Sequence, residues 1–125
     1  ATTGRPRRCG WLDLPALRQA VVVGGIDALA LTKVDILAAL ETPKLCVAYR
    51  LDGRELRLPP TDHEDLAKVE PILEDLEGWP ELPQAPSYEA LPAALRRYIE
   101  RIEAEVGVPV KLISYGPARE QTLSR

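Results

Sequence analysis

The 125-residue sequence contains no methionine, no phenylalanine and no asparagine. Because translation starts with methionine, the natural start was either processed away or lies outside these residues. The first residues, Ala1 to Arg5, also resemble the middle of a loop rather than a chain terminus. We therefore expect this sequence to be a fragment of a longer protein.

Positive charge, apolar runs and cysteine are also scarce. The net charge of -3 argues against a nucleic-acid-binding protein, which usually needs a basic face. No apolar run approaches the roughly 20 residues of a membrane span, and the polar, Arg-rich start does not resemble a signal peptide. The two cysteines, Cys9 and Cys46, fit a reducing compartment better than a disulfide scaffold. These features predict a cytoplasmic protein that binds neither nucleic acid nor membranes.

The residues that are present predict one globular domain of the α/β class, with mixed strands and flanking helices. Hydrophobic residues make up 46% of the chain and charged residues 28%, and apolar runs of strand type alternate with helical patterns. We predict strands at 28–31, 45–49, 55–58 and 110–113, a hairpin over 45–58, a helix from Asp13 to Gly24, and helices at 36–40 and 92–106. Residues 62–66 are expected to form one helical turn, and 69–76 are ambiguous because Pro71 interrupts a helix.

The strongest local motif is Thr32-Lys33-Val34-Asp35, directly after a predicted buried strand. A carboxylate at this position can accept two hydrogen bonds from N1–H and the 2-amino group of guanine, a donor pair that adenine lacks. The methylene chain of Lys33 can lie along the base plane. The alternative is an ordinary first helical turn, with Asp35 near the positive end of the helix dipole and Lys33 in solvent.

A second candidate, Ser114-Tyr115-Gly116-Pro117, also follows a predicted strand. Ligands bind at the carboxyl ends of strands in open α/β sheets, and backbone amides here can contact a base edge. The alternative is a simple turn that ends the strand.

The third candidate is the basic opening segment, residues 2–8. Its arginines, hydroxyl groups and glycine are typical of an anion site, because each guanidinium matches a carboxylate or phosphate in shape. The alternative is a frayed basic terminus.

The catalytic motifs of phosphate transfer are missing. No glycine-rich loop is followed by Lys and Ser or Thr, so the sequence has no P-loop. The acidic residues and the single histidine at 62–65 occupy successive positions and cannot all converge on one metal ion. We therefore assign no catalytic residue and no metal ligand to this chain.

Taken in order, several segments resemble the adenylosuccinate synthetase family over essentially the whole chain. The matching segments are Ala-Thr-Thr-Gly-Arg at 1–5, Cys-Gly-Trp-Leu-Asp at 9–13, Gly-Ile-Asp-Ala-Leu-Ala-Leu-Thr-Lys-Val-Asp at 25–35, Cys-Val-Ala-Tyr at 46–49, Lys-Val-Glu-Pro at 68–71, Gly-Trp at 78–79, Tyr-Ile-Glu-Arg-Ile-Glu at 98–103 and Gly-Pro at 116–117. The resemblance implies the C-terminal part of a larger α/β nucleotide-binding ligase. That family joins IMP to L-aspartate, with GTP as co-substrate, to form adenylosuccinate in purine biosynthesis.

The resemblance also implies the site residues. The aspartate and IMP site would consist of Ala1, Thr2, Thr3, Gly4, Arg5 and Arg7, and the GTP site of Arg7, Lys33, Val34, Asp35, Ser114, Tyr115, Gly116 and Pro117. Pro6 and Tyr115 depart from the family's usual residues.

The resemblance further implies Mg²⁺ ligands outside this chain, a homodimer, and no ligase activity of these residues alone. The alternative is a stand-alone, non-catalytic guanine-nucleotide-binding module derived from the enzyme.

Overall fold

The computed structural model describes residues 4–82 and 84–125, and helices and strands alternate along them. In chain order they are β1 (Leu12–Asp13), α1 (Leu14–Gly24), β2 (Leu29–Leu31), α2 (Val34–Leu37), β3 (Lys44–Leu51), β4 (Arg54–Leu56), α3 (His63–Leu66), β5 (Glu70–Asp75), a 3-10 helix (Tyr88–Ala90), α4 (Ala93–Val106), β6 (Val110–Ser114) and β7 (Thr122–Ser124). This order confirms the predicted α/β class with mixed strands and flanking helices.

The strands form two mixed sheets, each built around one central strand. In the first, β3 pairs parallel with β1 and antiparallel with β4 and β5. In the second, β6 pairs parallel with β2 and antiparallel with β7. Each sheet therefore contains one parallel pair of strands, and its other strands pair antiparallel with the central strand.

Helix α1 follows the predicted capping pattern. The Asp13 carboxylate accepts a hydrogen bond from the amide of Ala16 at 3.1 Å, and Pro15 occupies the first turn, where its missing N–H costs nothing. Gly25 ends the helix in the left-handed conformation, with φ of 61°. Sequence alone thus predicted both ends of this helix.

Helix α4 supplies much of the core through one apolar stripe. Its buried residues include Leu95, Tyr98, Ile99, Ile102 and Val106, which recur at helical spacing. They belong to a single hydrophobic cluster that also contains residues of α1, α2 and both sheets. Packing against α4 therefore holds the two sheets together.

Two predicted segments differ from the structure, and the structure decides one segment that the sequence left open. The ambiguous segment is strand β5, which tolerates Pro71 because it pairs only with β3 in the first sheet. Helix α2 is one turn at Val34–Leu37 rather than 36–40. It begins at Val34, inside the Thr-Lys-Val-Asp motif, because the side chain of Val34 is buried in the core. Strand β4 ends at Leu56 instead of residue 58, since the carbonyl of Arg57 accepts a hydrogen bond from Arg18.

A network of ion pairs joins four elements at the edge of the core. The Glu105 carboxylate on α4 accepts hydrogen bonds from Arg18 on α1, from Arg101, and from Arg57 after β4, the last at 2.6 Å. Arg101 also donates two bonds to Glu74 on β5, at 3.0 and 2.9 Å. Both the Arg18 and the Glu105 side chains are largely buried, 16% and 14% exposed. Their ion pair therefore affects the stability of the fold more than a pair of exposed charges does.

The network also shifts the pKa of Glu105. Burial raises the pKa of this carboxyl group, but the hydrogen bond from Arg101 and the charges of Arg101, Arg57 and Arg18 lower it by more, so that the net pKa lies below its usual value. A carboxyl with a depressed pKa stabilises the fold at neutral pH, and that contribution is lost as the pH falls through the folded-state pKa.

Among residues 4–82 and 84–125, no helix combines the length and the apolar character that a bilayer span requires.

Replacing Glu105 by glutamine should destabilise the fold by about 2 kcal/mol at pH 7, because the buried Arg18 loses its charged partner. Urea unfolding at pH 7 and at pH 3 measures the effect. The difference between wild type and Glu105→Gln should shrink as the pH is lowered, because protonation of the wild-type carboxyl removes its charge. The exposed Glu64→Gln on α3 is the matched control, and an equal loss of stability in both variants would contradict the role of the network.

Candidate functional site

The two predicted guanine-recognition loops leave the same edge of the second sheet. Strands β2 and β6 run parallel, with Leu31 opposite Ile113. Their carboxyl ends therefore lie side by side, so that Thr32 and the residues after it begin next to Ser114. This is the edge at which α/β sheets place their ligands.

The first loop turns sharply at Lys33. This residue adopts the left-handed conformation, with φ of 67° and ψ of 23°, which costs a non-glycine residue about 1 kcal/mol. Val34 is fully buried and anchors the turn, whereas Lys33 is exposed and Asp35 half-buried in the first turn of α2. Within the described part of the chain, neither the Lys33 ammonium nor the Asp35 carboxylate forms an ion pair or side-chain hydrogen bond. Both groups are therefore available to a ligand.

The second loop is held by Gln121. The amide of Tyr115 donates to the Gln121 carbonyl at 2.9 Å, and the amide of Ala118 donates to the Gln121 side-chain oxygen at 3.0 Å. The Ser114 hydroxyl donates to the carbonyl of Gly116 at 3.2 Å. A Cβ atom at Gly116 would lie 2.3 Å from that Gln121 side-chain oxygen, so a larger residue here would have to displace the end of the Gln121 side chain.

The side chain of Tyr115 points into the core. It is 5% exposed, and its hydroxyl lies 3.3 Å from the amide and 3.4 Å from the carbonyl of Ala85. The phenol ring therefore cannot close over a ligand at this edge. Only the backbone of Tyr115 remains available for the role that the resemblance implies.

The basic opening segment and the first loop share one cleft of about 840 Å³. Arg5, Arg7 and Lys33 contribute positive charge, while most of the remaining wall is apolar. The lining residues are Gly4, Arg5, Pro6, Arg7, Cys9, Gly10, Trp11, Leu12, Leu31, Thr32, Lys33, Ile36, Leu37, Lys44 and Tyr98. Such a cleft suits a ligand with an apolar ring and anionic groups.

Lys33 connects the two halves of the predicted site, because it belongs both to the turn after β2 and to the cleft. Asp35 and Ser114 to Pro117 are not among the residues that line the cleft. Ala1, Thr2 and Thr3 lie outside the described residues. The structure thus brings Arg5 and Arg7 to Lys33, and it aligns the second loop with the first through β2 and β6.

Sequence reasoning missed Lys44 and Trp79. Lys44 begins β3, lines the cleft and pairs with Asp75. Trp79 donates its indole N–H to the carbonyl of Val34 at 3.1 Å. Both residues lie outside the three motifs that predict the site, so only their contacts across the fold connect them with it.

In the ranges 4–82 and 84–125, no three histidine, cysteine, aspartate or glutamate side chains are close enough together to hold a metal ion.

The fold defines an α/β protein in which two loops follow the carboxyl ends of a parallel pair of strands. The sequence model of the adenylosuccinate synthetase family matches residues 1–123, and the chain belongs to this family. Adenylosuccinate synthetase of Oleidesulfovibrio alaskensis is 49% identical over 126 residues, which cover 100% of this chain and 30% of that protein. The enzyme of Caldicellulosiruptor bescii is 51% identical, with 98% of this chain and 29% of that protein covered.

A solved structure agrees with these sequence matches. Fully ligated adenylosuccinate synthetase from Plasmodium falciparum superimposes with a TM-score of 0.89 at 36% identity, over 99% of this chain and 30% of that chain. The chain therefore spans about 30% of the length of the relatives that it matches.

The contact between Gly116 and Gln121 gives a stability prediction. Gly116→Ala should cost about 1 kcal/mol, because the new methyl group displaces the Gln121 amide from Ala118. Gln121→Ala should cost a similar amount, and the double variant should cost less than the sum, since the clash and the lost bond involve the same side chain. Urea unfolding of the four proteins measures this coupling. Strictly additive losses would contradict the proposed contact.

Proposed function

We propose that these residues form the guanine- and substrate-recognition part of a cytosolic adenylosuccinate synthetase. One observation carries the proposal: β2 and β6 are parallel, with Leu31 opposite Ile113, so the loop with Lys33 and Asp35 and the loop with Ser114 and Gly116 leave the same edge of the sheet. At this edge, a carboxylate can accept hydrogen bonds from the N1–H and the 2-amino group of a guanine base. Backbone groups of the second loop can contact its other polar atoms. Membership of the family supports the same assignment.

Asp35 is proposed to select guanine. Its carboxylate is half-buried and has no partner among the described residues, so it can accept both donors of the guanine edge. Adenine offers no such pair of donors and would leave the carboxylate without hydrogen bonds, which costs about 2 kcal/mol. Lys33 is exposed beside it and can lay its methylene chain along the base. Val34 fixes both residues by inserting into the core.

The cleft supports a role for the basic segment. Arg5 and Arg7 are exposed there and lie in the same cavity as Lys33. We propose that Ala1 to Arg7 form the loop that recognises L-aspartate. Within it, Arg5 and Arg7 hold carboxylate or phosphate groups, with Arg5 near IMP and Arg7 reaching towards GTP. Guanidinium groups suit these anions because their planar donors match two oxygens at once.

The proposed reaction has two steps, to which this segment contributes binding and orientation. GTP transfers its γ-phosphoryl group to the 6-oxygen of IMP, which leaves GDP. The aspartate amine then attacks C6, and phosphate leaves with that oxygen. Holding the base of GTP and the carboxylates of aspartate on one scaffold brings the reactants together, and this orientation lowers the barrier of both steps. We further propose that the complete enzyme is a homodimer that uses Mg²⁺ held by residues outside this segment.

Asp35→Asn should change base preference in the full-length synthetase that carries this segment. The asparagine amide can donate to the 2-oxygen of xanthine, so kcat/KM for GTP should fall about 10- to 100-fold relative to that for xanthosine triphosphate. Steady-state kinetics with both nucleotides measures the ratio. Asp27→Asn, an exposed carboxylate before β2, is the matched control. An unchanged ratio in Asp35→Asn would show that the guanine assignment is wrong.

The 125 residues alone should form no adenylosuccinate, because they contain no P-loop to hold the γ-phosphate. Incubation with GTP, IMP, L-aspartate and Mg²⁺, followed by chromatography, tests this expectation. The full-length Oleidesulfovibrio alaskensis enzyme serves as the positive control. If the isolated segment forms adenylosuccinate and its Asp35→Ala variant does not, the proposal that this segment only binds and orients substrates is wrong.

A further inference from the structure

We propose that Trp79 is a positioning residue for guanine recognition, which fixes the turn that presents Lys33 and Asp35. The inference rests on the proposed function, and it concerns a residue far away in the sequence. Trp79 is not among the residues that line the cleft. It acts through the backbone of the turn rather than by touching the nucleotide.

The central contact is the hydrogen bond from the Trp79 indole N–H to the carbonyl of Val34, at 3.1 Å. Trp79 is 3% exposed and Val34 is fully buried, so water does not compete for this bond. A buried carbonyl that loses its donor is costly. This carbonyl belongs to the peptide between Val34 and Asp35, so its direction sets the orientation of the Asp35 backbone.

The turn needs such support because it contains an unfavourable conformation. Lys33 has a positive φ of 67°, which its Cβ atom disfavours. A residue in this region keeps its conformation only when neighbouring contacts enforce it. Helix α2 is a single turn and has no side-chain cap at Lys33, so it provides little support by itself. The indole bond one residue later supplies the missing constraint.

Trp79 is itself held from two sides. The amide of Gly78 donates to the carbonyl of Glu41 at 3.2 Å, and a Cβ atom at Gly78 would lie 2.6 Å from the carbonyl oxygens of Leu40 and Glu41. The backbone before Trp79 therefore lies directly on the segment that follows α2. On the other side, the Tyr98 ring of α4 packs at a centroid distance of 5.1 Å and an angle of 55°. The core thus sets the position of the indole, and the indole sets that of the turn.

The experiment compares Trp79→Phe with wild type in the full-length synthetase. Phenylalanine keeps an aromatic ring against Tyr98 but removes the donor. KM for GTP should rise about five- to tenfold, the effect expected from one lost buried hydrogen bond, while kcat and the KM values for IMP and aspartate stay within about twofold. Preference for GTP over inosine triphosphate, which lacks the 2-amino group, should also fall. A purely structural role would not separate GTP from the other substrates.

A second variant and a control make the test independent of folding defects. Gly78→Ala should give the same selective rise in KM for GTP, since the added methyl group pushes the segment before Trp79 away from Leu40 and Glu41. Ile99→Val, a fully buried substitution on α4, removes one methylene from the core without touching the turn. It should leave the ratio of GTP to inosine triphosphate unchanged. An unchanged KM for GTP in Trp79→Phe, or an equal rise in all three KM values, would overturn the proposal.

Asp35→Asn in the same assay separates the two levels of inference. If Asp35→Asn alters base preference and Trp79→Phe does not, only the role of Trp79 is wrong. If Asp35→Asn keeps the wild-type preference, the guanine assignment fails, and the positioning role of Trp79 fails with it.

Discussion

Parallel pairing of β2 with β6 is the constraint on which the candidate site depends. Two parallel strands cannot be joined by a tight turn, so the chain must leave the second sheet after β2 and return to it for β6. Strands β3, β4 and β5 of the first sheet and helix α4 all lie within that excursion, whereas β1 precedes it. Because both strands point the same way, the loops that follow Leu31 and Ile113 come together although they are far apart in sequence.

The excursion is held in place by an apolar core with ion pairs at its edge. Among the described residues, the buried set contains no charged side chain, and its members belong mainly to α1, α4 and the two central strands. Such packing is strong but has little direction. Directional contacts come from Glu105, which joins α1 to the hairpin, and from Arg101, which extends the network to β5. Apolar packing therefore stabilises the fold, and these ion pairs help to fix how the helices and strands are arranged.

The two charged side chains of the first loop differ from those of the ion-pair network around Glu105. Arg18, Arg101 and Glu105 neutralise one another, whereas Lys33 and Asp35 have no partner in the described part of the chain. In the function that we propose, the partner of both groups is the guanine base. The left-handed conformation of Lys33 fits the same explanation, since strained residues are concentrated at binding sites.

Local sequence determined the caps of α1, the apolar stripe of α4, the strands β3 and β6, and the two motifs that follow strands. These features depend on residues that are close together in the sequence, so their periodicity and capping chemistry can be recognised without the structure. Only the tertiary structure decided that β5 is a strand, that Tyr115 turns inward, and that Trp79 holds the turn at Val34. Each of these depends on partners distant in sequence, and packing against such partners overrides local preference. The motifs could therefore be read from the sequence, whereas their arrangement into one site required the fold.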